Sequence, residues 1–110
     1  MIKPHRYCAL GAEISSDLVL PELTVSESTI TALVQIQQGD HRQWPSLEPS
    51  PHSTPTLQLA PRDWRLELEG IGWFRATGGE RLEWERWDDS VSDRDIRTFA
   101  VTSGLGALAI

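Results

Sequence analysis

A chain of 110 residues with a hydrophobic fraction of 39% and five Trp is large enough for one core but not for a core plus a deep independent active site. A single domain over residues 1–110 is therefore expected. Sixteen acidic against ten basic residues give a net charge of −6, which leaves no basic stripe for a phosphate backbone and argues against nucleic acid as a partner. The lone Cys8 can form no internal disulfide, residues 1–6 lead into no apolar run of signal-peptide length, and no segment approaches a membrane span. A cytoplasmic location without a membrane partner is the expectation.

In chain order, residues 7–14 are mixed apolar and small and predict a first strand, followed by a polar turn at Ser15-Ser16-Asp17. Pro21 biases Leu20 to extended geometry and argues against a long helix there. Residues 32–38 alternate, with Leu33, Val34, Gln35, Ile36 and Gln37 in succession before Gly39-Asp40, and predict a second, half-buried strand. A Pro-rich loop follows at about residues 41–62, with Pro45, Pro49, Pro51, Pro55 and Pro61. Missing N–H donors and fixed φ predict extended chain without regular pairing.

From Trp64 the pattern sharpens. Trp64, Leu66 and Leu68 alternate with Arg65, Glu67 and Glu69 as in a strand with one dry face, and Gly70 and Gly72 mark a bend. Gly78-Gly79 suits a type I′ hairpin turn, in which both central residues need φ > 0. If Thr77 and Glu80 close that turn, Arg75 faces Leu82, Trp73 faces Trp84 and Ile71 faces Arg86. Ile71, Trp73, Leu82 and Trp84 then share one face, and Phe74, Arg81, Glu83 and Glu85 the wetter one.

A helix start follows, with Ser92 as N-cap, Asp95 at the third helical position and Val91 with Ile96 as a hydrophobic staple. Ile96, Phe99, Ala100, Ser103 and Ala107 form one face at helical spacing, with Val101, Leu105 and Leu108 beside it. Gly104 and Gly106 each cost about 1 kcal/mol relative to Ala in a helix interior, so the tail needs outside contacts to hold. The apolar stretch of residues 105–110 is expected to be covered by another surface. Leu105, Leu108 and Ile110 are therefore candidate interface residues, toward a protein partner or a second copy of the chain.

The groups for bond-making chemistry do not assemble in the sequence. There is no phosphate-binding G-x-x-x-x-G-K-[ST]; Ser103-Gly104-Leu105-Gly106 lacks the Lys, and Asp88, Asp89, Asp93 and Asp95 at the helix start would repel a phosphate. His5 and Cys8 could offer two zinc ligands, with His41 and His52 the other nitrogen donors, but a site needs at least three. A buried thiol with surface histidines accounts for them more simply. Asp88-Asp89 reads as helix-start electrostatics rather than an acid–base pair. No catalytic residue, cofactor or metal is expected. Trp64, Trp73 and Trp84 read as core at alternating positions, whereas Trp44 and Trp87 fall outside the alternation and are candidates for partner contact.

Tyr7-Cys8-Ala9-Leu10-Gly11, then Ile14-Ser15-Ser16-Asp17 and Leu20-Pro21-Glu22-Leu23, then the strand of residues 64–70, the Gly78-Gly79 hairpin, Phe99, Ser103 and Leu105-Gly106-Ala107-Leu108 together resemble the amino-terminal region of HPr serine kinase-like proteins. These are bacterial proteins, some found in peptide-modification gene clusters. The likeness covers nearly the whole chain outside the Pro-rich loop, and it rests on the order and spacing of short motifs; Thr102 and Gly104 depart from its helix pattern. In that family the region precedes a catalytic lobe whose P-loop binds ATP. The resemblance implies that residues 105–110 lead toward such a lobe and that no catalytic residue carries over to this chain.

The expected fold is α+β: a small, mainly antiparallel sheet of four or five strands with a C-terminal helix packed on one face. The expected function is a non-catalytic accessory or docking domain of an HPr kinase-like protein, positioning a kinase lobe or its substrate. A free-standing protein- or peptide-binding module is the alternative.

Overall fold

The computed structural model describes residues 5–9, 12–27, 32–45, 57–60 and 62–104. The strands are β1 (His5–Ala9), β2 (Ala12–Ser16), β3 (Thr24–Val25), β4 (Val34–Gln38), β5 (Leu57–Ala60), β6 (Asp63–Leu68), β7 (Gly72–Thr77) and β8 (Arg81–Arg86). Helix α1 (Asp93–Phe99) runs into a π-type turn at Ala100–Gly104. All eight strands lie in one sheet, in the order β3-β1-β2-β4-β8-β7-β6-β5. The α+β architecture with a C-terminal helix holds, but the sheet is larger than expected and mixed. β4 pairs in parallel with both β2 and β8, while the other ladders are antiparallel.

Alternation of side chains across the sheet builds one apolar face. Tyr7, Ile14 and Val34 are neighbours across β1, β2 and β4. Ile36, Leu82 and Ala76 continue across β4, β8 and β7, and Trp84, Phe74 and Leu66 across β8, β7 and β6. All but the half-buried Leu66 are buried. Helix α1 and the turn after it pack on the β7–β8 part of this face. Ser92 accepts a hydrogen bond from Asp95 N at 3.2 Å as N-cap, Val91, Ile96 and Ala100 are buried, and the Phe99 ring lies 6.2 Å from that of Phe74. The N-cap stands as the sequence predicts, and so does the stripe at Ile96, Phe99 and Ala100; its continuation at Ala107, Leu105 and Leu108 lies outside the described residues.

At the edge of the core, Tyr7 Oη accepts from Leu20 N at 2.8 Å, and Ser16 Oγ closes a tight turn by accepting from Leu18 N. Asp17 ties that loop to the sheet centre by accepting from Trp84 Nε1 at 2.8 Å and from Gln38 N.

Three expectations are corrected. The single first strand is a hairpin of β1 and β2, with Tyr7 opposite Ile14. The Pro-rich segment contains β5, which pairs with β6 at the sheet edge. Its four residues lie between Pro55 and Pro61 and keep their N–H donors, so pairing is not blocked there.

The third correction concerns the β7–β8 register. The turn forms with Gly78 at φ 64° and Gly79 at φ 72° and with Glu80 N donating to Thr77 O, but pairing resumes one residue later, at Thr77 opposite Arg81. Glu80 serves β4 instead, its carbonyl accepting from Gln35 N at 2.7 Å. One residue of slip inverts the faces of β7 relative to β8. Phe74 and Ala76 join Leu82 and Trp84 inside, whereas Trp73 goes outside with Arg75, Glu83 and Glu85. Gly72 sits opposite Arg86, where an added Cβ would fall 2.1 Å from the Glu85 carbonyl oxygen.

Candidate functional site

The face opposite the core concentrates aromatic and charged side chains on β6, β7, β8 and the chain leaving β4. Its inner rung runs Glu83, Arg75, Arg65 across β8, β7 and β6, and the next runs Glu85, Trp73, Glu67. Opposite charges directly across a ladder stabilise the pairing. Asp63 organises the first rung by accepting from Arg65 (Nε 3.2 Å, Nη2 3.1 Å) and from Arg75 (Nε 3.2 Å, Nη2 3.0 Å). Burial pushes the Asp63 carboxyl up, but the bonds from Arg75 and Arg65 outweigh it and hold the group below the ordinary Asp range.

Asp40 caps a 3-10 turn at His41–Gln43, which folds the chain back over β8. Trp44, just past it, lies over both guanidinium groups, 5.9 Å from Arg65 Cζ and 5.8 Å from Arg75 Cζ, and donates from Nε1 to Glu83 at 3.0 Å. Gly39 lies just before this turn, where an added Cβ would come 2.5 Å from Glu83 Oε2, the oxygen that accepts from Trp44 Nε1. His41 donates from its backbone N to Glu85 Oε1 at 3.2 Å, and its Nδ1 sits against the same oxygen.

The His41 ring stacks on Trp73 with centroids 3.8 Å apart and planes 8° from parallel, and Trp73 stacks in turn on Trp87 at 4.7 Å and 16°. Trp44 meets His41 edge-on at 6.5 Å. Four rings thus form a continuous row on this face, running along β7 and β8. Trp73 Nε1 donates to Glu67 at 2.8 Å, which fixes the central ring. The rings of Trp44, Trp73 and Trp87 are all half-buried. They sit outside the core's own packing demand, apart from Trp87, which also touches it.

The structure therefore unites Trp44 and Trp87, and it adds Trp73 and His41, which sequence reasoning assigned elsewhere. Trp84 is core, with its Nε1 held by Asp17, and Trp64 packs against the core. The missed signal was electrostatic: Arg75 opposite Glu83 is the favourable register, and that register alone turns Trp73 outward. Leu105, Leu108 and Ile110 lie outside the described residues, as does His52.

Asp40, His41 and Glu85 bring three ligand-type atoms within 4.8 Å of one another. Internal partners account for this cluster, since Arg42 donates to both oxygens of Asp40, at 3.0 and 3.2 Å, and Glu85 receives His41. The Arg42 charge also opposes a cation there. His5 and Cys8 are three residues apart on β1 and so point to opposite faces of the sheet, which prevents a shared metal, and Cys8 is exposed rather than the buried thiol the sequence suggests. Asp88 closes a turn by accepting from Ser90 N at 2.8 Å and Ser90 Oγ at 2.5 Å, and these bonds keep its carboxyl below the ordinary range.

Comparison with known proteins returns no matching family model, no matching curated protein and no matching solved structure. The candidate site is aromatic, with two of its indoles oriented by carboxylates, and is flanked by ion pairs.

Proposed function

We propose that this chain is a non-catalytic docking domain of an HPr kinase-like protein, holding a kinase lobe or its protein substrate against the outer sheet face. The observation that supports this most is the row Trp44–His41–Trp73–Trp87. Interface hot spots favour Trp, Tyr and Arg, and rings already fixed before binding lose little conformational freedom when a partner arrives. The indole N–H groups of Trp44 and Trp73 are each committed to a carboxylate, so the rings are oriented in the unbound chain. The kinase association comes from the motif resemblance, and a cytoplasmic, bacterial setting goes with it. No helix among the described residues is long and apolar enough to cross a membrane.

The test is calorimetry between this chain and a P-loop lobe encoded downstream of it or beside it in its genome. Saturable binding that Trp73→Ala weakens supports the reading. Binding that ignores the substitution, or no binding, overturns it. A genome with no such lobe favours the second reading, a free-standing protein- or peptide-binding module using the same aromatic row.

A further inference from the structure

The two ends of the aromatic row differ in charge. Around Trp44 the field is balanced, because Arg65 and Arg75 face Asp63 and Glu83. Around Trp87 it is not. Glu67 lies beside Trp73 in the ladder, and Glu69 occupies the β6–β7 turn, whose Ile71 carbonyl accepts from Trp87 N at 3.0 Å. Asp88 and Asp89 follow Trp87 directly. Glu67, Glu69, Asp88 and Asp89 are all exposed, and none is ion-paired among the described residues. Arg86, the nearby cation, is taken up by Asp93, the Val91 carbonyl and the Trp84 ring.

We infer that the Trp73–Trp87 end of the row, with the carboxylates of Glu67, Asp88 and Asp89, is a docking shelf for a basic, extended polypeptide segment, an Arg or Lys side chain seating against Trp87. The inference rests on the docking reading and names the partner's chemistry. Charge complementarity selects the occupant: a cation is drawn both to the carboxylates and to an indole face, and its methylenes cover the ring. The Trp73–Trp87 centroid step is 4.7 Å, which one or two residues of extended chain, at about 3.3 Å each, span. Trp87 stacks on Trp73 and also packs against the core, yet it is only half-buried, so the segment meets the part of its indole that stays exposed at the end of the row.

The experiment is a titration of the isotope-labelled 110-residue chain with hexa-arginine amide at low ionic strength, following the five indole Nε1–H signals by NMR. Saturable shifts are expected at Trp73 and Trp87, with Trp64 and Trp84 unmoved. Hexaglutamate and a Gly-Ser hexamer are expected to shift none. Affinity should fall about tenfold in the triple variant Glu67→Gln, Asp88→Asn, Asp89→Asn, whose amides keep the local hydrogen-bond acceptors. It should also fall as salt shortens the Debye length from about 30 Å to about 8 Å. Absence of saturable shifts, or an unchanged affinity in the triple variant, overturns the inference. So does a self-associating chain that buries these rings against a second copy. A neutral aromatic peptide that shifts Trp73 and Trp87 when hexa-arginine does not would sink the basic-segment inference and leave the docking reading standing. Hexa-arginine binding with no binding of the kinase lobe would do the reverse.

Discussion

Exchanging Phe74 and Trp73 for Ala, one at a time, tests the register that creates the aromatic row. Phe74 is 1% exposed, lies between Trp84 and Leu66 in the ladder and packs near Phe99. Phe→Ala in such a site costs about 3–5 kcal/mol from lost transfer energy and the cavity left behind. Trp73 is half-buried, so its loss is chiefly that of two ring contacts, each about 0.5–1.5 kcal/mol. The total for Trp73→Ala is then about 1–3 kcal/mol. In urea, at a slope of about 1.5 kcal/mol per molar, the midpoint should fall roughly 2–3 M for Phe74→Ala and roughly 1–2 M for Trp73→Ala. Far-UV circular dichroism across a urea series reads both. The two-residue Gly-Gly loop would put Trp73 inside and Phe74 outside. A Trp73→Ala loss equal to or larger than the Phe74→Ala loss would therefore refute the observed register and, with it, the row.

Three further substitutions probe how the sheet is held. Tyr7→Phe strands the buried Leu20 N–H, whose acceptor is Tyr7 Oη at 2.8 Å; a loss of about 1–3 kcal/mol with an unchanged urea slope is expected. Ser92→Ala removes the acceptor for Asp95 N and should cost about 0.5–2 kcal/mol in the same assay, with Ser92→Gly costing less. Asp63→Asn weakens the hold on Arg65 and Arg75 by about 1–3 kcal/mol at neutral pH. Because the folded Asp63 carboxyl titrates below its ordinary range, its contribution is complete above that range and is lost below it, as pH falls toward and through the lowered folded value. Urea midpoints of wild type and Asp63→Asn should therefore differ at pH 7, and the gap should narrow progressively as pH falls below the ordinary Asp range. A constant gap would show that the carboxylate charge is not the source.

What the sequence disclosed follows from how local each signal is. The Ser92 cap, the Val91–Ile96 staple, the Gly78-Gly79 turn and the alternation of β6 each depend on a few adjacent residues, and each formed. The register failed because the turn type alone does not say whether Glu80 enters the β7 ladder, and the competing claim comes from Gln35 on β4, far away in sequence. The central place of β4, parallel to both neighbours, has no local signature at all. The aromatic row needed both pieces of information: the slip turned Trp73 outward, and β4's position delivered His41 and Trp44 over β8. Trp44 and Trp87 were legible as interface candidates because they broke the alternation, but their partners in the row were not.

Cross-saturation transfer from an unlabelled P-loop lobe to the labelled indole N–H groups of this chain tests the docking claim most directly. The account predicts attenuation at Trp73 and Trp87, where the row is half-exposed, with Trp84 silent beneath the sheet. A complex in which Trp73 and Trp87 keep full intensity while another surface is saturated would contradict it.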